Sequence, residues 1–193
     1  MVLTGVMNNL YNLYDLYIVT GNPNKHKEAE SILKCKIQRV DIDIKEIQDI
    51  AVEAVVKEKV LEAYRQVKRP VFVEDVGFYV EAWNGFPGAL VKWLVQSCKS
   101  KGICKMMDSK NRKATLKCRI GFYDGKKLKI FSGDIQGRIT KYPRGKSDMG
   151  LDPIFQPEGH TKTFAEMGLL EKNKISHRYL AYMKMKKYLK IKS

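Results

Sequence analysis

The stretch that decides the fold is Asp15-Leu16-Tyr17-Ile18-Val19-Thr20-Gly21-Asn22-Pro23-Asn24-Lys25. Its first six residues form a short β-rich run that meets Gly21, which reads as a buried strand ending in a tight turn. A helix should follow at once: Asn22 is a good N-cap, Pro23 suits the first helical position, and Ala29, Ile32 and Leu33 make one apolar stripe. Working outward, Val40, Ile42 and Ile44 alternate with Asp41 and Asp43, so a second strand is expected there, with Glu46 just past its end. Val52, Val55, Val56, Val60, Ala63, Tyr64 and Val67 recur at three and four residues, which predicts a long amphipathic helix before Pro70. Val71 to Val73 then form a strand buried on both faces that is expected to stop at Glu74 and Asp75. Strand, helix, strand, helix, strand is the signature of an α/β fold.

Further along, Trp83 to Gly88 reads as a turn-rich loop, and Leu90 to Cys98 as a helix before a polar link through Arg112. Ala114 to Tyr123 and Leu128 to Ser132 flank Asp124-Gly125, a two-residue hairpin signal that adds antiparallel pairing. Residues 139 to 159 carry many Pro and Gly without periodicity and are expected to be a long loop. Thr163 and Glu166 can form a capping box. Ser176 should cap a last helix that turns Ala181, Met185, Tyr188 and Leu189 inward and Lys184, Lys186, Lys187 and Lys190 to water.

The 193 residues, 44% hydrophobic and 30% charged, suffice for one domain with a real core and argue against disorder. One domain over residues 1–193 is expected, with 1–13 as an N-terminal extension. The start lacks the order of a signal peptide, and no apolar run approaches the roughly 20 residues of a membrane span. Cys35, Cys98, Cys104 and Cys118 form no Cys-x-x-Cys pair, which suits reduced thiols in a cytoplasm rather than disulfides or zinc. Thirty-six Lys and Arg against 21 Asp and Glu leave a formal charge of +15, so the partner sought is anionic.

Three groups can carry chemistry. Thr20 to Lys25 has the physics of a phosphate site, with close backbone approach at Gly21, helix amides and a lysine, although an ordinary strand-to-helix turn looks the same. Glu46, Glu74 and Asp75 follow strands and suit a magnesium ion on substrate phosphates; surface ion pairing with lysines is the rival reading. Were the strand to continue, alternation would send Glu74 and Asp75 to opposite faces, and Asp75 is the favoured ligand. His177 and Arg178 open the last helix with Lys172 a turn before it, where they are either cleft residues or a solvated helix start. A nucleic-acid-binding module is the rival from another class, but no interleaved aromatics, helix-turn-helix or finger spacing supports it.

Taken in order, Val-Thr-Gly-Asn-Pro-Asn-Lys at 19–25, Val-Glu-Asp-Val-Gly at 73–77, Gly-Phe-Pro-Gly at 85–88, Gly-Arg-Ile at 137–139, Pro-Arg-Gly at 143–145, Gly-Leu-Asp-Pro-Ile-Phe-Gln-Pro-Glu-Gly at 150–159, Thr-Phe-Ala-Glu-Met at 163–167 and Glu-Lys-Asn-Lys-Ile-Ser-His-Arg at 171–178 resemble the inosine triphosphate pyrophosphatase (Ham1-like) family. The resemblance implies a mixed, elongated α/β sheet with flanking helices in two lobes around a nucleotide cleft, a homodimer, and magnesium-dependent hydrolysis of ITP, dITP or XTP to the monophosphate and pyrophosphate. No stable nucleic-acid complex and no membrane partner are expected. By position it places Thr20, Gly21, Asn22, Pro23, Asn24 and Lys25 in the phosphate turn and Glu46 and Asp75 on the metal, with Asp75 as base; Glu74 is expected among the substrate-binding residues. Lys59 and Lys92 match phosphate lysines, and Asp152, Lys172, His177 and Arg178 the base-recognition side. Two departures stand out. Around the Gly-x-Asp-Pro segment, where family members often carry aromatic residues, this chain has Met149-Gly150-Leu151-Asp152, all expected to bind substrate, so stacking on the base becomes dispersion from Met149 and Leu151. Val76 stands where microbial relatives commonly carry Ser. A related enzyme preferring modified pyrimidine nucleotides is the alternative, separable by substrate profile.

Overall fold

The computed structural model describes residues 16–147 and 150–191; the expected extension at 1–13 and Met149 lie outside them. Strand β1 (Tyr17–Val19) runs into helix α1 (Pro23–Leu33), whose N-cap Asn22 accepts from the amides of Asn24 and Lys25. Strand β2 (Gln38–Val40) pairs parallel on the outer side of β1. The expected strand through Ile42 and Ile44 ends early: burial still alternates, but residues 41–50 form no ladder, because the three-residue β1 offers no backbone beyond Val40 to pair with. Helix α2 (Val52–Val67) then leads back to β3 (Val71–Val80), parallel to β1 on its other side. Ala29, Ile32 and Leu33 of α1 pack with Ile18 and Phe72, whereas Val52, Val56 and Val60 of α2 pack with Val19, Val71 and Val73. The two helices therefore cover opposite faces, and a crevice opens where β1 ends beside the continuing β3, at a topological switch point.

β3 does not stop at Glu74 and Asp75. It runs ten residues, because β5 (Lys113–Tyr123) pairs antiparallel with it from Val71↔Tyr123 to Val80↔Ala114. A long partner ladder carries the strand across two acids that local patterning reads as a terminus. On its other edge β3 meets β1 only at Val71 and Phe72, and β4 (Pro87–Gly88) only at Phe78 and Tyr79. The backbone between is open to side chains from the crevice. Beyond a one-turn 3-10 helix at Glu81–Trp83, helix α3 (Val91–Met106) is longer than expected: it bends at Lys99 (φ 52°) and continues so that Ile103, Cys104 and Met107 are buried.

The hairpin joins β5 to β6 (Leu128–Ile139), but its connection is four residues, with Tyr123 opposite Leu128 and Asp124 Oδ1 accepting from the amides of Lys126 and Lys127. An Asx turn thus replaces the tight two-residue one. The segment expected as loop contains β7 (Phe155–Pro157), paired with β6. The sheet order is β2-β1-β3-β5-β6-β7 with β4 beside β3. Thr163 and Glu166 form the expected capping box on α4 (Phe164–Ile175), and Ser176 caps α5 (His177–Leu189). On α5, Ala181, Met185 and Leu189 are buried as expected, but Tyr188 is 38% exposed and Lys186 only 8%. The Tyr188 ring still meets Phe131 at 5.4 Å, while the charge of Lys186 lies near enough to Cys35 to act on its thiol. All four cysteines are free, and among the described residues no helix is long and apolar enough to cross a membrane.

Candidate active site

Lys25 occupies the third position of α1 and reaches over the open edge of β3. Its ammonium donates to the Glu74 carbonyl oxygen at 2.8 Å and to Asp75 Oδ1 at 3.0 Å. Lys59, two turns into α2, donates to Asp75 Oδ2 at 3.0 Å and pairs with Glu46. Two ammonium groups therefore grip one carboxylate from opposite helices. Burial pushes the Asp75 carboxyl up, but Lys25 and Lys59 outweigh it and hold it well below its ordinary 3.8. For Lys59, burial lowers the ammonium's pKa, and Asp75 with Glu46 more than reverse this, leaving it above 10.5.

Alternation sends Glu74 the other way. It is 2% exposed, and its Oε1 accepts from Arg178 Nε at 2.9 Å while its Oε2 accepts from the Tyr182 hydroxyl at 3.2 Å. Arg178 Nη1 also donates to Glu28 Oε2 at 3.0 Å. Burial disfavours the Arg178 charge, yet the two acids raise its pKa. Burial, then Glu74, pushes the Tyr182 phenol well above 10.0. The α5 end that carries this network rests on β6 because residue 133 is glycine: a Cβ there would stand 2.0 Å from the His177 carbonyl oxygen.

Beside the crevice lies a cavity of about 310 Å³ with Asn24, Glu28, Ser147, Asp152, Phe164 and Lys172 on its walls. Lys172 Nζ donates to Asp152 Oδ2 at 2.7 Å, and the Ser147 hydroxyl to the same oxygen at 3.1 Å. Phe164 stacks on the His177 ring, with centroids 6.2 Å apart. Burial, with Arg178, Lys172 and Lys25 adding to it, holds His177 well below 6.5, so its imidazole is neutral. A larger concavity of about 800 Å³ lies farther along the sheet at Tyr79, Lys117 and Arg138, but none of the sequence-predicted residues lines it. The ionised cluster, rather than volume, marks the candidate site.

The structure thus joins Lys25, Glu46, Lys59 and Asp75 at one centre, with Glu74, Lys172, His177, Arg178 and Asp152 next to it. Thr20 Oγ1 accepts from the Asn22 amide at 3.1 Å, which shapes the turn, and the Asn22 side chain occupies the amides of Asn24 and Lys25. Pro23 opens the helix, and a Cβ at Gly21 would meet Asp41 Oδ1 at 3.1 Å. Lys92 stands apart, exposed, its ammonium 5.4 Å from the Trp93 ring centroid. Gly150 gives its carbonyl to Ser100 Oγ at 2.6 Å, and Leu151 packs against the α3 core. Neither lines the 310 Å³ cavity. Among the described residues no group of three or more His, Cys, Asp or Glu converges as a metal site. Glu46 and Asp75 meet instead on a shared lysine, and two hard carboxylates leave room for the phosphate and water oxygens that magnesium favours.

Sequence reading missed Glu28, Tyr182, Ser147, Phe164 and Gly133. Glu28 carried a signal: it precedes Ile32 by four residues and so lies on the buried stripe of α1, where an acid needs a partner. The others carried none, since each acts across the fold.

Known proteins resemble this chain in sequence and in fold. The model of the Ham1 family matches residues 16–188. A dITP/XTP pyrophosphatase of Methanopyrus kandleri is 39% identical over 89% of this chain and 94% of its own length. An inosine triphosphate pyrophosphatase of Schizosaccharomyces pombe is 40% identical over 92% of this chain and 96% of its own. The solved structure of a HAM1 protein from Coxiella burnetii superposes with a TM-score of 0.80 at 26% identity, covering 92% of this chain and 98% of that one. A family match that runs from β1 to the end of α5 and takes in every residue of the Asp75 cluster establishes that the chain belongs to the Ham1 family.

Proposed function

We propose that this protein is a nucleoside-triphosphate pyrophosphatase that hydrolyses non-standard purine nucleotides, ITP, dITP and XTP, to the monophosphate and pyrophosphate, and so cleanses the nucleotide pool. The observation that carries the reading is the Asp75 carboxylate held between Lys25 and Lys59 at the switch-point crevice, beside a cavity walled by Lys172 and Asp152. The names of the curated relatives support the substrate class.

The triphosphate lies along the crevice with Lys25 and Lys59 on its oxygens, and Lys92 turns from Trp93 to join them. As the ammonium groups transfer to phosphate, they leave the Asp75 oxygens, and the ionised carboxylate orients and deprotonates the water that attacks the α-phosphorus. Pyrophosphate leaves as the α-β bond breaks. Glu46 and Asp75 would hold Mg²⁺, which when bound neutralises charge developing on the phosphates. On the base side, the Arg178 N–H groups not used by Glu28 and Glu74, together with Lys172, donate to the 6-keto oxygen. Adenine presents an amino donor at that position and leaves these groups unsatisfied. The chain acts as one domain, in the cytoplasm, as a homodimer.

The test is pyrophosphate release from ITP, XTP, dUTP, GTP and ATP, each with magnesium and with chelator. Magnesium-dependent release from ITP and XTP with ATP nearly inert is expected. A preference for dUTP, or no release from any of the five, overturns the reading.

A further inference from the structure

Helix α2 begins without a cap of its own, because Ala51 at the N-cap position has no side-chain acceptor. The acceptor comes from β3 instead. The Tyr79 hydroxyl accepts from the Val52 amide at 2.9 Å and donates to the Ile50 carbonyl oxygen at 2.9 Å. One oxygen thereby joins the last residues of the segment 41–51 to the first residue of α2 and binds both to the sheet. The arrangement is built in several parts. Asp75, Gly77 and Tyr79 lie on one face of β3 at period two. The Tyr79 ring lies back over Gly77, where a Cβ would come within 2.5 Å of Cε2. Lys117 Nζ lies 4.4 Å from the ring centroid. The Ile50 carbonyl also receives the Ala89 amide at 3.0 Å, so the segment is bound at its end and nowhere joins a ladder.

Two groups of the candidate centre hang from this junction. Glu46 lies four residues before Ile50, and Lys59 seven residues after Val52; both meet at Asp75, four residues before Tyr79 in the same strand. We propose that Tyr79 is a positioning residue for the active centre, its hydroxyl holding Glu46 and Lys59 in register with Asp75. This rests on the reading above that Glu46 and Asp75 are the magnesium ligands. The Tyr79 hydroxyl is taken up by Val52 and Ile50; it orders the strand-free segment on which Glu46 rides. Without the hydroxyl, the Val52 amide has no acceptor and Glu46 must be ordered anew at each binding event, which raises the metal requirement more than it slows the bound complex.

The experiment uses Tyr79→Phe, which keeps the ring over Gly77 and removes only the hydroxyl. Hydrogen exchange is followed on the full chain without nucleotide or metal, and pyrophosphate release from ITP is titrated with magnesium. In Tyr79→Phe, exchange of the Val52 and Ala89 amides accelerates by about tenfold and the half-saturating magnesium concentration rises by a similar factor, with kcat at saturating metal within about twofold of the parent. Ile103→Val, which trims a fully buried side chain in the separate core under α3, is the control: it lowers the melting temperature and moves neither readout. Unchanged exchange at Val52 and Ala89, an unchanged magnesium requirement, or an equal rise in Ile103→Val overturns the proposal. If the parent protein releases no pyrophosphate, the functional reading fails by itself, and exchange of the Val52 and Ala89 amides alone then decides whether Tyr79 orders this segment.

Discussion

Replacing Asp75 with asparagine preserves the shape of the side chain and removes a negative charge from between two ammonium groups, each 3.0 Å away. Neither lysine is left without a partner: Lys25 keeps the Glu74 carbonyl at 2.8 Å, and Lys59 keeps Glu46. Two charge-assisted hydrogen bonds at about 1.5–3 kcal/mol each set the upper bound. The amide oxygen still accepts from one lysine, and the Asp75 side chain is 22% exposed, so a net loss of about 2 kcal/mol is expected, or roughly 4–8 °C in melting temperature. The effect on the reaction is larger. Removing a positioned proton acceptor costs roughly 10²–10⁴ in rate, about 3–5 kcal/mol of barrier. Asp75→Asn should therefore be folded and nearly inactive. The assay is pyrophosphate release from ITP with magnesium, beside a circular-dichroism melt. Activity within tenfold of the parent in a folded variant refutes the assigned role. Linkage supplies a second check. Because the folded-state pKa of Asp75 is depressed, its stabilisation is complete above the ordinary 3.8 and is lost as pH falls below it. Asp75→Asn should lack that part of the acid limb.

Arg178→Ala should narrow the ITP-over-ATP ratio of kcat/KM and, by leaving Glu28 and Glu74 buried without their cation, cost about 3–5 kcal/mol in urea unfolding; an unchanged ratio would show that other groups read the 6-keto edge. His177 is neutral when buried but takes a proton once unfolded, so stability declines as pH drops below 6.5 by up to about 1.4 kcal/mol per pH unit. His177→Asn should flatten the slope of urea midpoints between pH 7 and 5, and parallel slopes would count against a neutral buried imidazole. Gly133→Ala places a methyl 2.0 Å from the His177 carbonyl and 2.6 Å from the Ala181 nitrogen, both backbone atoms. A loss of about 1–3 kcal/mol follows from overpacking; unchanged stability would mean that α5 does not rest on β6 there.

What the sequence determined by itself was local. The Asn22 cap, Pro23 at N1, the stripes of α1 and α2, the Thr163 and Glu166 capping box and the Ser176 cap are short-range hydrogen bonds and periodicities, and each recurs in the structure. The ordered motifs sufficed to resemble the family. Tertiary pairing decided the rest. β3 passes through Glu74 and Asp75 because β5 lies alongside, and this, not a strand end, puts Glu74 under Arg178 and Asp75 under Lys59. The expected strand at Ile42 and Ile44 gave way for the opposite reason, having no ladder to join. Glu28, separated from Arg178 by 150 residues, and Tyr79, separated from Val52 by 27, find their partners only once the sheet brings helices from both faces to one crevice. Propensity and capping act within a turn or two of the chain, whereas a buried charge is satisfied by whatever the fold carries to it.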